Sequence, residues 1–416
     1  MKPFPLSSSP PNDLLFRRLP PGGIRSVRRF AFVALTALAI GGRAAADPLP
    51  AKKDILSEME RANHHFMAEC SVPGSNDGLP GKRPSNIWTR AVYFEGALAL
   101  HRINQDAAIR KYAVGWGDFH KWGFRKGDAT QNPDDQCAGQ AYIELYQIDT
   151  SKTERLAPIR ANLDNWTKQP KLDYYTWIDT LQMSMPCFAK LGVIDKQPAY
   201  FDKMFALYDH AKTTQGLYNP KDRLWWRDAK FKPPFTTPNG KPCYWSRGNG
   251  WVVAALVRTL EVLPTDDPHY AEYLQMLKDM SAALLPLQRA DGFWNANLAD
   301  PNDFGGPETT GTALFIYGMA WGINNGHLPA DTYLPSVVKG WNAITGKALH
   351  PDGFLGFVQG TGDKPSDGQP VTYDSVPDFG DYGLGCFLLA GSEVYRLDPT
   401  HRDPEGARTP TSPAGK

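Results

Sequence analysis

Past the first fifty residues, apolar side chains recur at three- and four-residue intervals in twelve segments. These lie near 53–69, 87–103, 106–122, 136–148, 154–168, 174–191, 197–213, 248–263, 268–288, 309–325, 331–345 and 379–396. Clusters such as Asn132-Pro133-Asp134-Asp135, Pro238-Asn239-Gly240 and Asp300-Pro301-Asn302 separate them, and such clusters end helices rather than extend them. Twelve helices with no internal sequence repeat and no polar capping hairpin predict an all-α fold, an (α/α)6 barrel of six helical hairpins closed into a ring, in preference to an open solenoid. One stretch, Tyr218 to Phe235, is aromatic and turn-laden enough to hold a β-hairpin.

The 416 residues carry 45 Lys and Arg against 44 Asp and Glu, but the balance is uneven. Seven basic residues and one acid fall in the first 46 positions, so the remainder holds 38 basic against 43 acidic residues. A mildly acidic body argues against nucleic acid as a partner. The basic start, the apolar run Phe30–Ile40 and Ala44-Ala45-Ala46 before Asp47 read as an export leader cleaved after Ala46. Arg28-Arg29-Phe30 is compatible with a twin-arginine route. The expected organisation is a signal peptide at 1–46, a single catalytic domain at 47–400 and a disordered tail at 401–416, in a periplasmic or secreted protein. No later apolar run approaches the roughly 18 residues of a membrane span, so no stable membrane insertion is expected after leader cleavage. The oligomeric state is left open.

Hydrophobic residues make up 42% of the chain and aromatics 12%, which includes 12 Trp. That aromatic content exceeds what a core usually needs and suits the apolar faces of sugar rings. Five scattered Cys show no CxxC spacing, and nine His show no HExxH, so neither a catalytic metal nor a cofactor is expected.

In a closed ring of hairpins, the N-termini of the inner helices face the substrate, and the unusual segments fall where helices begin. Asp179 sits among Tyr174, Tyr175, Trp177, Ile178, Leu181 and Met183. Burial there would raise its carboxyl pKa, as a general acid requires; the alternative is a helix N-cap. Asp134 and Asp135 precede a helix, where either is a cap or the second carboxylate of an acid–base pair. Trp245-Ser246-Arg247-Gly248-Asn249-Gly250-Trp251 sets an arginine fork between aromatic walls, which suits a sugar carboxylate or a structural ion pair in a tight turn. Trp88 and Trp226 complete the aromatic candidates for a sugar pocket.

These motifs, followed by Pro307-Glu308-Thr309-Thr310-Gly311-Thr312-Ala313 and Phe387-Leu388-Leu389-Ala390-Gly391-Ser392-Glu393, resemble the unsaturated rhamnogalacturonyl and unsaturated glucuronyl hydrolases of glycoside hydrolase families 88 and 105. The resemblance runs from about Asn86 to Leu397. It implies an (α/α)6 barrel that removes the 4,5-unsaturated uronic acid which lyases leave on pectic oligosaccharides, with no cofactor. It also implies Asp179 as the catalytic aspartate, Asp134 or Asp135 as the second, and Trp177 and Met183 in the pocket lining. Arg247 would lie near the uronate, between Trp245 and Trp251. Where many relatives carry a histidine after Gly-Leu-Tyr, this chain reads Gly216-Leu217-Tyr218-Asn219-Pro220, then Trp225-Trp226-Arg227-Asp228. An inverting hydrolase acting on a saturated polysaccharide and a non-catalytic exported carbohydrate-binding protein are the alternatives.

Overall fold

The computed structural model describes residues 48–76 and 83–398, all within one compact unit; the leader and the tail expected from the sequence lie outside the described residues. The helices are α1 (Lys52–Glu69), α2 (Trp88–Asn104), α3 (Ala107–Phe119), α4 (Pro133–Gln136), α5 (Ala138–Ile148), α6 (Ala157–Lys168) and α7 (Asp179–Asp195). They continue with α8 (Pro198–Asp209), α9 (Ser246–Leu260), α10 (Tyr270–Leu284), α11 (Thr309–Asn324), α12 (Ala330–Ala343) and α13 (Asp381–Arg396). All twelve expected helices are present, and the four-residue α4 leads directly into α5. The expected hairpin is a short antiparallel pair, β1 (Tyr218–Asn219) with β2 (Leu224–Trp225).

The packing order makes the ring. Helices α2, α5, α7, α9, α11 and α13 each contact the next, and α13 closes onto α2; α1, α3, α6, α8, α10 and α12 pack outside them. The sequence pattern differs between the two layers for a physical reason. Outer α6 buries only Ile159, Asn162, Leu163 and Trp166, one stripe at helical spacing, whereas every residue of inner α9 is buried. The ring closes through two glycines. A Cβ on Gly385 would sit 2.2 Å from the Val92 carbonyl oxygen, and one on Gly96 would sit 2.5 Å from that of Gly385, so α2 and α13 approach backbone to backbone.

The largest offset from the expected boundaries is at α7, whose periodicity begins at Tyr174 although the helix begins at Asp179. The chain before it is held out of the helix because Trp177 bridges to Asp228 and the Ile178 N–H donates to the Arg227 carbonyl at 2.9 Å. That pairing ties the start of α7 to the segment after the hairpin.

Away from the helix N-termini, the inner ring is filled by charge. Arg258 of α9 donates to Glu144 of α5 at 2.6 Å and to Gln140 at 2.8 Å, and its Nε lies 3.3 Å from Glu95 of α2. Gln182 of α7 donates to Glu95 at 2.7 Å, Arg102 donates to Glu144 at 2.9 Å, and Lys190 also donates to Glu144. Burial pushes the Glu144 carboxyl up, but Lys190, Arg258 and Arg102 outweigh it and hold the group well below the ordinary range. For Glu95, burial wins over Arg258 and Lys190, and its pKa is raised. Arg258→Met should therefore strip Glu95 of its paired cation and Glu144 of one of three, and cost about 3–5 kcal/mol of stability, read as a lower midpoint in thermal unfolding. A change within about 0.5 kcal/mol would mean the network contributes nothing net.

Candidate active site

A cavity of about 430 Å³ opens at the N-termini of the inner helices, lined among others by Trp88, Asp134, Trp177, Asp179, Met183 and Arg227, with the segment Thr361–Asp363 along one side. Trp88 begins α2, Asp134 lies in the first turn of α4, and Asp179 begins α7. Chain direction thus delivers two carboxylates and an indole to the same end of the barrel, where helix N-termini favour negative charge. Burial opposes that preference. It is the first cause lifting the Asp134 carboxyl to about 7, and the neighbouring negative charges of Asp179 and Asp135 add to it. Asp179 is raised too, by burial, although Arg227 and Arg247 pull it back. Two carboxyl groups facing one cavity each disfavour ionisation of the other.

Asp134 and Asp135 are separated by their directions. Adjacent helical positions point about 100° apart, and here Asp135 is fully buried. It accepts from Arg125 at 2.8 Å and from the Thr130 hydroxyl at 2.7 Å, which brace the loop before α4. Asp134 alone faces the cavity. Its backbone N–H is capped by Asn132 at 3.0 Å, so the cap expected of an aspartate is supplied by the preceding asparagine.

The Trp245–Trp251 motif sits elsewhere than the sequence suggested. Arg247 is fully buried and its two terminal nitrogens donate to the carbonyls of Gln359 and Gly360, both at 2.7 Å. Of the two expected aromatic walls Trp245 does flank it, 4.5 Å from guanidinium carbon to ring centre, while Tyr382 at 5.2 Å stands where Trp251 was expected, and the side chain lies outside the cavity lining. Trp245 is likewise buried and donates to the Gln359 side chain at 2.9 Å. Trp251 stands behind the pocket, edge-on to Trp88 at 6.0 Å. Trp226 is half-buried against Tyr244, outside the cavity lining. The motif therefore anchors the chain around Gln359, whose side-chain amide donates to the carbonyls of Lys364, Pro365 and Asp367 at 2.7–3.0 Å. The Tyr382 hydroxyl donates to the Gln359 carbonyl as well.

Three contributors to the cavity were not foreseen. Arg83 reaches it from before α2, 4.1 Å above the Phe379 ring and 3.9 Å from the Asp378 carboxylate. The segment Thr361–Asp367 brings Thr361, Gly362, Asp363 and Asp367. Arg227 is the third. Its Nη1 donates to Asp228 at 2.8 Å, its Nε lies 3.3 Å from Asp179 Oδ2, and Asp363 is 3.9 Å away. The Trp225–Asp228 run held a signal, a charged pair directly after two tryptophans, but its partner across the site is 48 positions earlier in the chain.

The raised Asp134 pKa makes a stability prediction. From about pH 4 upward the unfolded chain loses this proton freely while the folded one keeps it to about pH 7, so this group's contribution to stability falls as pH rises through that window. Asp134→Asn has no proton to lose. Its unfolding midpoint should gain on wild type between pH 5 and pH 8, by roughly 2–8 °C. An equal offset at both pH values would show that the folded pKa is ordinary.

The family model of Glycosyl Hydrolase Family 88 matches residues 58–398. Among curated proteins, an unsaturated 3S-rhamnoglycuronyl hydrolase of Formosa agariphila is 32% identical over 334 residues, covering 75% of this chain and 85% of the relative. A protein of the same name from an Alteromonas species is 35% identical over 224 residues, 53% of this chain and 51% of its own length. Among solved structures, a glycosyl hydrolase family 88 protein from Bacteroides vulgatus superposes with a TM-score of 0.76 at 33% identity, over 84% of this chain and all of that one.

Proposed function

The chain belongs to glycosyl hydrolase family 88, and on that footing we propose that it removes the 4,5-unsaturated uronic acid from the non-reducing end of lyase-generated pectic oligosaccharides of the rhamnogalacturonan type. The observation that carries the reading is the Asp134–Asp179 pair, two carboxyl groups with raised pKa in one cavity walled by Trp88 and Trp177. The rhamno- element in the names of the Formosa and Alteromonas relatives supports a rhamnose beside the uronate.

The C4=C5 bond of the substrate is an enol ether. Asp179 gives its proton to C4, and positive charge develops across C5 and the ring oxygen. Water adds at C5 and returns a proton to the carboxylate, with Asp134 on the same cavity as the second carboxyl group. The resulting hemiketal opens at the C5–O5 bond, and the hemiacetal left at C1 releases the aglycone. One water is consumed and no cofactor enters.

The test follows the ultraviolet absorbance of the alkene as purified protein acts on lyase-generated rhamnogalacturonan oligosaccharides. Absorbance should fall as free aglycone appears; release of saturated sugars with the chromophore intact, or binding with no turnover, would overturn the reading. Asp179→Asn should bind substrate yet lose about 10²- to 10⁴-fold in kcat, because an amide has no acidic proton to give. Retention of more than about a tenth of wild-type kcat would remove Asp179 from the acid role.

We also propose that the protein is exported. The basic start, the Phe30–Ile40 run and the alanines before Asp47 support cleavage after Ala46. N-terminal sequencing of protein from the producing cell should read from Asp47, and full-length chain in the cytoplasm would count against it.

A further inference from the structure

Arg247 is fully buried outside the cavity lining, with its terminal nitrogens turned to backbone carbonyls, so the substrate's carboxylate needs another partner. We propose that Arg227 holds it, through the Nε–Nη2 edge of its guanidinium, next to the carboxyl group of Asp179. The inference rests on the unsaturated-uronate reading above.

Arg227 is oriented before any ligand arrives. Asp228 takes Nη1 at 2.8 Å, and the ring of Trp177 lies 5.8 Å from the guanidinium carbon. The Arg227 carbonyl is itself held by the Ile178 N–H at 2.9 Å, which fixes the backbone on which the side chain turns. Among the described residues Nη1 makes the one hydrogen bond of this side chain. Its Nε and Asp179 Oδ2 are both buried and unpartnered although only 3.3 Å separates them. They are close enough to attract but misaligned for a hydrogen bond, so a buried donor and a buried acceptor are left with unmet demand at the cavity wall. A carboxylate on the Nε–Nη2 edge meets the donor's demand with two parallel hydrogen bonds, which a guanidinium offers and an ammonium does not.

The substrate's own geometry calls for this juxtaposition. Its carboxyl carbon is bonded to C5, and the proton must arrive at C4, the adjacent ring atom. A group binding that carboxylate must then stand beside the acid that serves C4, as Arg227 stands beside Asp179. Placing a second negative charge there also disfavours ionisation of Asp179, so binding at Arg227 keeps the acid in the form that can give its proton. Asp363, the third carboxylate near Arg227, is itself within 3.8 Å of Lys230 and 3.9 Å of Lys364, which offset its charge.

The experiment compares wild type, Arg227→Gln and Arg227→Lys on an unsaturated uronyl-rhamnose and on its methyl ester, reading KM and kcat from alkene loss. The ester presents no charge to pair, so any loss on it measures what Arg227 does for Asp179 and the fold alone. The expected result is that Arg227→Gln raises KM for the acid roughly 10- to 100-fold beyond its effect on the ester, with partial recovery by lysine. Equal losses on the two substrates, or full recovery by lysine, would overturn the carboxylate assignment. A wild type that leaves the alkene of both substrates untouched would instead overturn the functional reading beneath it.

Discussion

Everything at the open end of the barrel depends on the ion network at the centre of its inner ring. Arg258 lies between Glu95 and Glu144, and with Lys190 and the glutamines it joins α2, α5, α7 and α9. An apolar filling would hold the same helices together with less regard to how each is rotated or slid along its axis. Paired charges with fixed hydrogen-bond directions accept few arrangements, because each misplacement leaves a buried ion without its partner. Since α4 runs into α5, two of the helices so fixed, α5 and α7, deliver Asp134 and Asp179 to the cavity.

The site then arises from a contest between two fields. Helix N-termini favour the ionised carboxyl, and loss of water disfavours it; for Asp134 the second wins by enough to bring the pKa to about 7. A carboxyl group that would be spent at neutral pH on the surface therefore stays able to exchange a proton in the cavity. Arg227 is the counterweight: it keeps Asp179 from being lifted as far as burial alone would lift it.

The barrel was legible in the sequence because twelve helices each leave a local periodicity. Even the inner ones, buried on all sides, were recognisable by their length and by the turn residues between them. The site was legible only in part, for reasons visible at single residues. Asp179, Trp177 and Met183 were readable because one helix start gathers them. Asp134 and Asp135 could not be separated, since their difference is one of direction, set by where a four-residue helix meets the ring. Arg247 was misplaced because an arginine among tryptophans and glycines looks the same whether it faces a ligand or a loop; only the carbonyls of Gln359 and Gly360, more than a hundred residues away, decide it. Arg227 and Thr361–Asp367 reach the cavity from irregular backbone, which carries no period to read.

The chain around Gln359 divides the cavity wall into a root and a tip. The root is bound by Arg247, Trp245 and Tyr382 of the barrel, and the Gln359 amide then closes the turn upon itself through three carbonyls. Neither set of bonds uses the side chains of Asp363 or Lys364, whereas the Asp367 carboxylate accepts from the Asp363 N–H at 2.8 Å and belongs to the fastening. The tip is thus a replaceable part. Its residues can be exchanged during divergence, or by an engineer, to suit a different neighbouring sugar while the barrel, the carboxylate pair and the fastening beneath them stay as they are.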